Sequence, residues 1–297
     1  MDLSQLDLRD PDVVIRMFRE GAEASRGAAC RRGSIDLIEP PGLLIATGDL
    51  HDNPIHMARV VEAAGMGPTP IEDAERRHLT LHELIHSDRL MNGMDMSYRA
   101  LARAAALKAA YPERVHLLLA NHELSQVIGA GIVKDGVKVV EAFDAGVEFV
   151  FGERAEEVEA AIDEFVRAMP LALRCVTPRG DILCAHSLPG IGMMGRFDPS
   201  VLTRNLKPED YEPRQGSAHL MVWGRGYDAE QLEDLVERWG INWFILGHEK
   251  AENGAKFVAP NAIVLNSDHE RGVYLPVDLE HPPTPSEAMQ MVVPLSH

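Results

Sequence analysis

Cysteine is scarce. Cys30, Cys175 and Cys184 are the three in 297 residues, an odd number with no C-x-x-C spacing. That excludes a disulfide framework and a zinc ribbon, and the three read as reduced thiols. Also missing is any apolar run near the ~20 residues that cross a bilayer, so no membrane partner is expected. The opening "MDLSQLDLRDPD" is acidic and lacks the basic-then-apolar order of a secretory signal, which places the protein in the cytoplasm. Basic residues are outnumbered, 29 Lys and Arg against 46 Asp and Glu, for a net charge of −17. A broad face for a nucleic-acid polymer is therefore excluded, because phosphate backbones need Lys and Arg.

What is present is ordinary for a globular protein: 45% hydrophobic and 25% charged residues, enough for a substantial core. Thirteen histidines and the many carboxylates supply ligands for a hard or borderline cation. There is no internal repeat and no linker long enough to divide the chain. Residues 1–280 are expected to form a single domain, and 281–297 a loose Pro-rich tail.

Apolar β-type runs alternate with helical patterns, which predicts an α/β layered fold. "PDVVIRMFREGAEASRG" reads as an opening helix capped by Asp10, with Pro11 at its first position. "NPIHMARVVEAAG" is a second, with Asn53 as cap and Gly65 as stop. "MDMSYRALARAAALKAAYPE", "ERAEEVEAAIDEFVRAMP" and "YDAEQLEDLVERWG" complete the helices. "PGLLIATGD", "HLTLHE", "RVHLLLANHE", "GDILCAHS", "INWFILGHE" and "NAIVLNSD" read as buried strands.

The informative pattern is how those strands end. "LLIATGDLHDN" ends in Asp49 and His51, "LTLHE" in Glu83, and "VHLLLANHE" in Asn121 and His122. "DILCAHS" ends in His186 and "NWFILGHE" in His248. Ligands of open α/β sheets gather beyond the carboxyl ends of strands. This mixed nitrogen and oxygen set, with no thiol in it, suits Mn, Fe, Zn or Ni.

One pentapeptide points elsewhere. His82-Glu83-Leu84-Ile85-His86 spells H-E-x-x-H, in which two imidazoles one helical turn apart bind zinc and the glutamate acts as base of a metalloprotease. That chemistry needs a continuous helix through both histidines, whereas Thr80 and the β-like run before it favour a strand end.

The order of these motifs resembles the calcineurin-like metallophosphoesterases of the phosphoprotein phosphatase type. Those read G-D-x-H-G, G-D-x-x-D-R-G, G-N-H-E, H-G-G and G-H-T along the chain. "GDLHDN" (48–53) matches the first, "ANHE" (120–123) the third, "LCAHSLPG" the fourth and "LGHEKAENG" the last. "LTLHELIHSD" stands at the second, with Glu83 where the family has a carboxylate that bridges two metals.

The resemblance implies a sandwich of two mixed β-sheets flanked by helices. It also implies two divalent metal ions that share a hydroxide and polarise a phosphoryl group. By position, Asp49, His51 and His248 would hold one ion, Asn121 and His186 the other, and Asp49 and Glu83 would span both. His122 matches the family's general acid, and Arg225 in "MVWGRGYD" an arginine that grips phosphate oxygens. The implied reaction is phosphoester hydrolysis, on a phosphorylated protein or a nucleotide.

Three departures stand out. Ser87 replaces the second motif's arginine, Leu119 replaces another arginine before Asn121, and His86 replaces the carboxylate that orients the catalytic histidine, with Asp88 nearby as a substitute. Losing two guanidinium groups favours an alternative, a metal-retaining protein that binds a phosphorylated ligand without turnover. A zinc protease built on the pentapeptide is the third reading.

Overall fold

The computed structural model describes residues 2–296. In chain order its strands are β1 (Arg31–Arg32), β2 (Ile35–Ile38), β3 (Leu43–Thr47), β4 (Arg77–Leu81), β5 (Val115–Leu117), β6 (Val133–Lys134) and β7 (Val137–Lys138). They continue as β8 (Ala172–Cys175), β9 (Asp181–Ala185), β10 (Ile241–Leu246), β11 (Ala255–Val258), β12 (Ala262–Leu265), β13 (Val273–Asp278) and β14 (Val293–Pro294). One sheet runs β1-β2-β8-β9-β10-β12-β11 and a second runs β14-β13-β3-β4-β5, while β6 and β7 form a separate hairpin. Both large sheets are mixed: β3, β4 and β5 are parallel, as are β9, β10 and β12, with antiparallel partners outside them. This is the sandwich that the sequence implies.

The period-2 geometry of strands divides their side chains between two cores. Leu44, Ala46, Leu173, Cys175, Ile182, Cys184, Trp243, Ile245, Ile263 and Leu265 cluster between the sheets. Ile45, Leu79, Leu81, Leu183, Phe244, Leu246 and Val264 pack outward, in one cluster with the helices. Strands covered on both faces must be apolar throughout, so they read as continuous hydrophobic runs.

The helices begin where their caps predict. Asp10 accepts the backbone N–H groups of Asp12 and Val13 ahead of the helix Pro11–Gly27, a cap of about 1 kcal/mol. Asn53 accepts from the His56 N–H ahead of Pro54–Ala63. The first helix crosses Tyr98–Ala110 and Ala155–Val166 at Gly21, where a Cβ would stand 2.9 Å from Ala105 and Phe165.

Residues 281–296 are not the loose tail their prolines suggest, and residue 297 lies outside the described residues. Thr284 and Glu287 form a capping box on the short helix Pro285–Ala288, β14 pairs with β13, and Ala288 and Leu295 are fully buried. Pro285 sits at a helix start and Pro294 at a sheet edge, places that need no backbone N–H. The helix Val139–Phe151 and strand β13 were not anticipated either; Pro276 within "VYLPVD" disguises the latter as a loop. Among the described residues no helix is long and apolar enough to cross a membrane.

The two sheets converge just past their carboxyl ends. Asp49, beyond β3, makes parallel bridges to His82 beyond β4 and to Asn266 beyond β12. That junction is where the polar strand endings collect.

Candidate metal centre

All six expected ligands arrive at this junction, and each is at least nine-tenths buried. Glu83 lies at the centre. Its Oε1 is 3.2 Å from His51 Nε2 and its Oε2 is 3.0 Å from His186 Nε2. His186 Nε2 also lies 2.7 Å from Asn121 Oδ1 and 3.1 Å from His248 Nδ1. Asp49 Oδ1 stands 3.6 Å from His186 Nδ1 and accepts the backbone N–H of His248 at 3.0 Å. Three donor triads meet here, Asp49–His51–Glu83, Glu83–His186–His248 and Asp49–His82–His186. His248 therefore groups with His186 and not with His51 as the motif order had it. The turn at His248 swings its ring toward the far side of Glu83.

Backbone strain marks the same residues. His51 (φ 39°), Glu83 (φ 49°) and His248 (φ 65°) adopt the left-handed conformation, which costs a non-glycine residue about 1 kcal/mol or more. Strain of this kind persists where the surroundings over-determine it. Here Glu123, from the N-H-E motif, contributes: its buried carboxylate accepts the N–H groups of Leu84 and Ile85 at 2.6 and 3.3 Å, holding the turn after Glu83.

The donor set fits a cation on its own chemistry. Glu83 Oε2 is buried and makes no hydrogen bond; its close approach to His186 Nε2 is misdirected for one. His248 Nε2 is likewise buried without a partner. Carboxylates, a side-chain carbonyl and imidazoles thus converge with too few protons among them, which disfavours the cluster unless a positive charge stands within it.

The electrostatics agree. Burial and then the Glu83 charge push the Asp49 carboxyl up to about 6. Burial would lower His51, yet its hydrogen bond to Glu83 and that carboxylate's charge carry it up to about 9. Burial likewise opposes the charge on His186, but Glu83 and Asp49 hold its ring above the usual imidazole range. Without a metal, protons on these rings supply the missing charge.

The surrounding architecture is found in solved structures. A protein serine/threonine phosphatase from Saccharomyces cerevisiae, described as similar to human phosphatase PP5, superposes with a TM-score of 0.67 over 97% of this chain and 94% of its own, at 13% identity. A cold-active protein-tyrosine phosphatase from a psychrophilic Shewanella species gives 0.56 over 82% of this chain and 77% of its own, at 11% identity. The architecture matches the metallophosphoesterase fold. No family model matches the sequence and no curated protein does either, so in this metallophosphoesterase fold the likeness is carried by the backbone.

Set in that fold, the departures acquire positions. A cleft of about 460 Å³ opens over the cluster, lined among others by Asp49, Glu83, His122, Trp223, Arg225 and His248. His122 Nε2 is 3.8 Å from Glu83 Oε1, and Arg225 Nη2 is 3.4 Å from His248 Nδ1. Arg225 is the one arginine lining the cleft among the described residues. Leu119 is fully buried in the core. Arg89, two residues beyond Ser87, donates to the His51 carbonyl and to Asp268, both at 2.7 Å, so it braces the His51 turn.

Asp88 does not orient His122. Its side chain is 58% exposed and pairs with Lys134 at 2.9 Å across the cleft mouth. His86 takes that place instead, with Nδ1 2.8 Å from His122 Nδ1. Burial lowers the pKa of His86 to about 4 and that of His122 to about 3.

Residues 82–86 are not helical, and left-handed Glu83 and His86 (φ 58°) rule out a continuous helix. The two imidazoles of H-E-x-x-H therefore do not share a helix face, as a zincin requires. His82 instead faces His186, Nδ1 to Nδ1 at 3.1 Å. Sequence reasoning had assigned no role to Gln126, Glu123 or Arg89; the N-H-E motif alone offered a signal for the second of these.

Proposed function

We propose that the protein is a metal-dependent phosphoester hydrolase whose cofactors are two divalent ions, with manganese, iron, zinc or nickel compatible with the donor set. Asp49, His51 and Glu83 would hold one ion and Glu83, Asn121, His186 and His248 the other, with Asp49 close to both. When bound, such a pair lowers the pKa of water and neutralises phosphoryl charge. The observation that carries the reading is the proton-poor cluster centred on Glu83, lying in one cleft with His122 and Arg225.

The chain's own groups divide the remaining work. Arg225 would grip the non-bridging phosphate oxygens, since a guanidinium matches them in two-point fashion. His122 would pass a proton from Nε2 to the leaving oxygen, because an alkoxide is a poor leaving group without one. Burial on the cleft floor keeps bulk water from screening these charges. A phosphorylated protein or nucleotide suits this chemistry, in a cytoplasmic setting.

A second reading, a metal-retaining protein that binds a phosphorylated ligand without turnover, draws on Leu119 and Arg89. One is apolar and buried and the other is committed to the His51 carbonyl, so Arg225 is the one guanidinium left in the cleft to bind phosphate. Elemental analysis together with a p-nitrophenyl phosphate assay in added manganese separates the readings. Two ions with turnover are expected; two ions without turnover establish the binder. A single zinc with peptidase activity would overturn both.

A further inference from the structure

His82 and His86 stand outside the donor set proposed above. Both are nevertheless almost fully buried, at 3% and 1% exposure, and each faces the ring of another histidine. An inventory of protons decides what they do. The Thr47 carbonyl, 2.9 Å from His82 Nε2, can only accept, so Nε2 carries the proton. In the neutral ring Nδ1 is then bare, and it faces His186 Nδ1 at 3.1 Å. His186 must therefore donate from Nδ1. Its Nε2 faces the acceptor Asn121 Oδ1 at 2.7 Å, so in the metal-free ring that nitrogen carries a proton as well, the one a bound cation would displace.

The second chain starts at Asp144. Its carboxylate accepts from Gln126 Nε2 at 2.6 Å, which turns Gln126 Oε1 toward His86 Nε2 at 2.8 Å. His86 thus donates from Nε2 and accepts at Nδ1. The 2.8 Å contact with His122 Nδ1 then requires a proton on that nitrogen, leaving His122 Nε2 directed at the cleft as the atom that gains and loses a proton.

We propose that His82 and His86 are positioning residues and not metal ligands, His82 fixing the tautomer and ring plane of His186 and His86 those of His122. The proposal rests on the metal-centre reading above. One short loop would then supply both the bridging carboxylate and the support for two histidines from elsewhere, His186 just past β9 and His122 at the start of the helix Asn121–Ile128. The left-handed turns at Glu83 and His86 make this feasible, because they send side chains 82, 83 and 86 to three different partners. A carbonyl or carboxylate commonly backs a metal-bound histidine; here each acceptor is reached through an intervening imidazole.

The test uses the full chain with His82→Leu, His82→Asn, His86→Leu and His86→Asn. Nitrogen-15 NMR of the ring nitrogens in the metal-free protein, at a pH where each ring holds a single proton, should find that proton on Nδ1 in both His186 and His122. His82→Leu should weaken Mn²⁺ binding in calorimetry by about 10–100-fold without changing the number of ions bound. His86→Leu should lower kcat on an alkyl phosphate by about 10–100-fold while leaving Mn²⁺ affinity and KM nearly unchanged. Each asparagine variant keeps an acceptor oxygen near the lost Nδ1 and should recover most of the loss, which a merely structural role would not produce.

A bare Nδ1 on His186 or His122 overturns the proposal. So does loss of one whole ion in both His82 variants, the result expected if His82 binds a metal beside Asp49 and His186, whose donor atoms are within reach. If the unaltered protein binds no Mn²⁺, the metal-centre reading fails. The ring protonation pattern in the metal-free protein still judges the two relays separately, and it needs no variant to fold.

Discussion

The backbone N–H of His248 donates to both carboxylate oxygens of Asp49, at 3.0 and 3.1 Å. Residues 199 positions apart are thereby joined, the first polar strand ending to the last. Gly247 makes room for that contact: a Cβ there would lie 2.4 Å from Asp49 Oδ1 and 2.5 Å from His82 Cε1. Gly247→Ala should push Asp49 away and disturb the ladder between the sheets. We expect a stability loss of about 1–3 kcal/mol and metal affinity lower by about tenfold or more. Thermal unfolding and Mn²⁺ titration check both, and an unperturbed variant would show that Gly247 merely fills a turn.

Glu83 contacts His51 with one oxygen and His186 with the other. Glu83→Gln removes a negative charge from between two positive ions, so their repulsion is less shielded. One equivalent of metal should be lost, and hydrolysis with it. Elemental analysis of the purified variant decides the point, since full retention of two ions would mean that Glu83 does not bridge them.

His122→Ala should leave metal content intact while lowering turnover of an alkyl phosphate by about 10²–10⁴-fold. An activated aryl phosphate needs no proton on its leaving oxygen and should be affected far less. Comparing kcat for the two substrates tests the role directly. Equal losses on both would assign His122 to binding.

The pH dependence of metal binding has a definite sign. A metal takes neutral His51 and ionised Asp49, but Asp49 holds a proton up to about pH 6 and His51 up to about pH 9. Binding must displace those protons, so affinity should rise through this range, by about tenfold per pH unit for each proton released.

Stability of the metal-free protein follows the same groups. The raised His51 contributes stability below its ordinary pKa near 6.5 that is lost as pH rises through about 9. The raised Asp49 penalises folding increasingly between about 4 and 6, as its charge appears. Both weaken the metal-free protein toward alkaline pH. The gain in Tm on adding Mn²⁺ should therefore be larger at about pH 8 than at about pH 6, by calorimetry with and without chelator. A gain that shrinks with pH would contradict the assignment of either group.

The sequence by itself determined the six buried strands β3, β4, β5, β9, β10 and β12, the caps at Asp10 and Asn53 and the kinds of atom at the strand ends. Those features are local: an apolar run such as "LLIAT" is forced by burial on both faces, and Asp10 or Asn53 caps its helix through neighbours two or three residues away. Because strands of a layered fold end on a common edge, the convergence of the candidate donors Asp49, His51, Glu83, Asn121, His186 and His248 was legible too. Their partnerships were not. Whether His248 turns toward His51 or His186, whether Asp88 or His86 meets His122, and what His82 touches depend on sheet register and on left-handed turns at Glu83, His86 and His248. The same five letters of H-E-x-x-H would present both histidines to one zinc on a helix. In this loop the backbone sends them to His186 and His122, since side-chain direction is set by φ and ψ and by what packs opposite, which only the tertiary structure supplies.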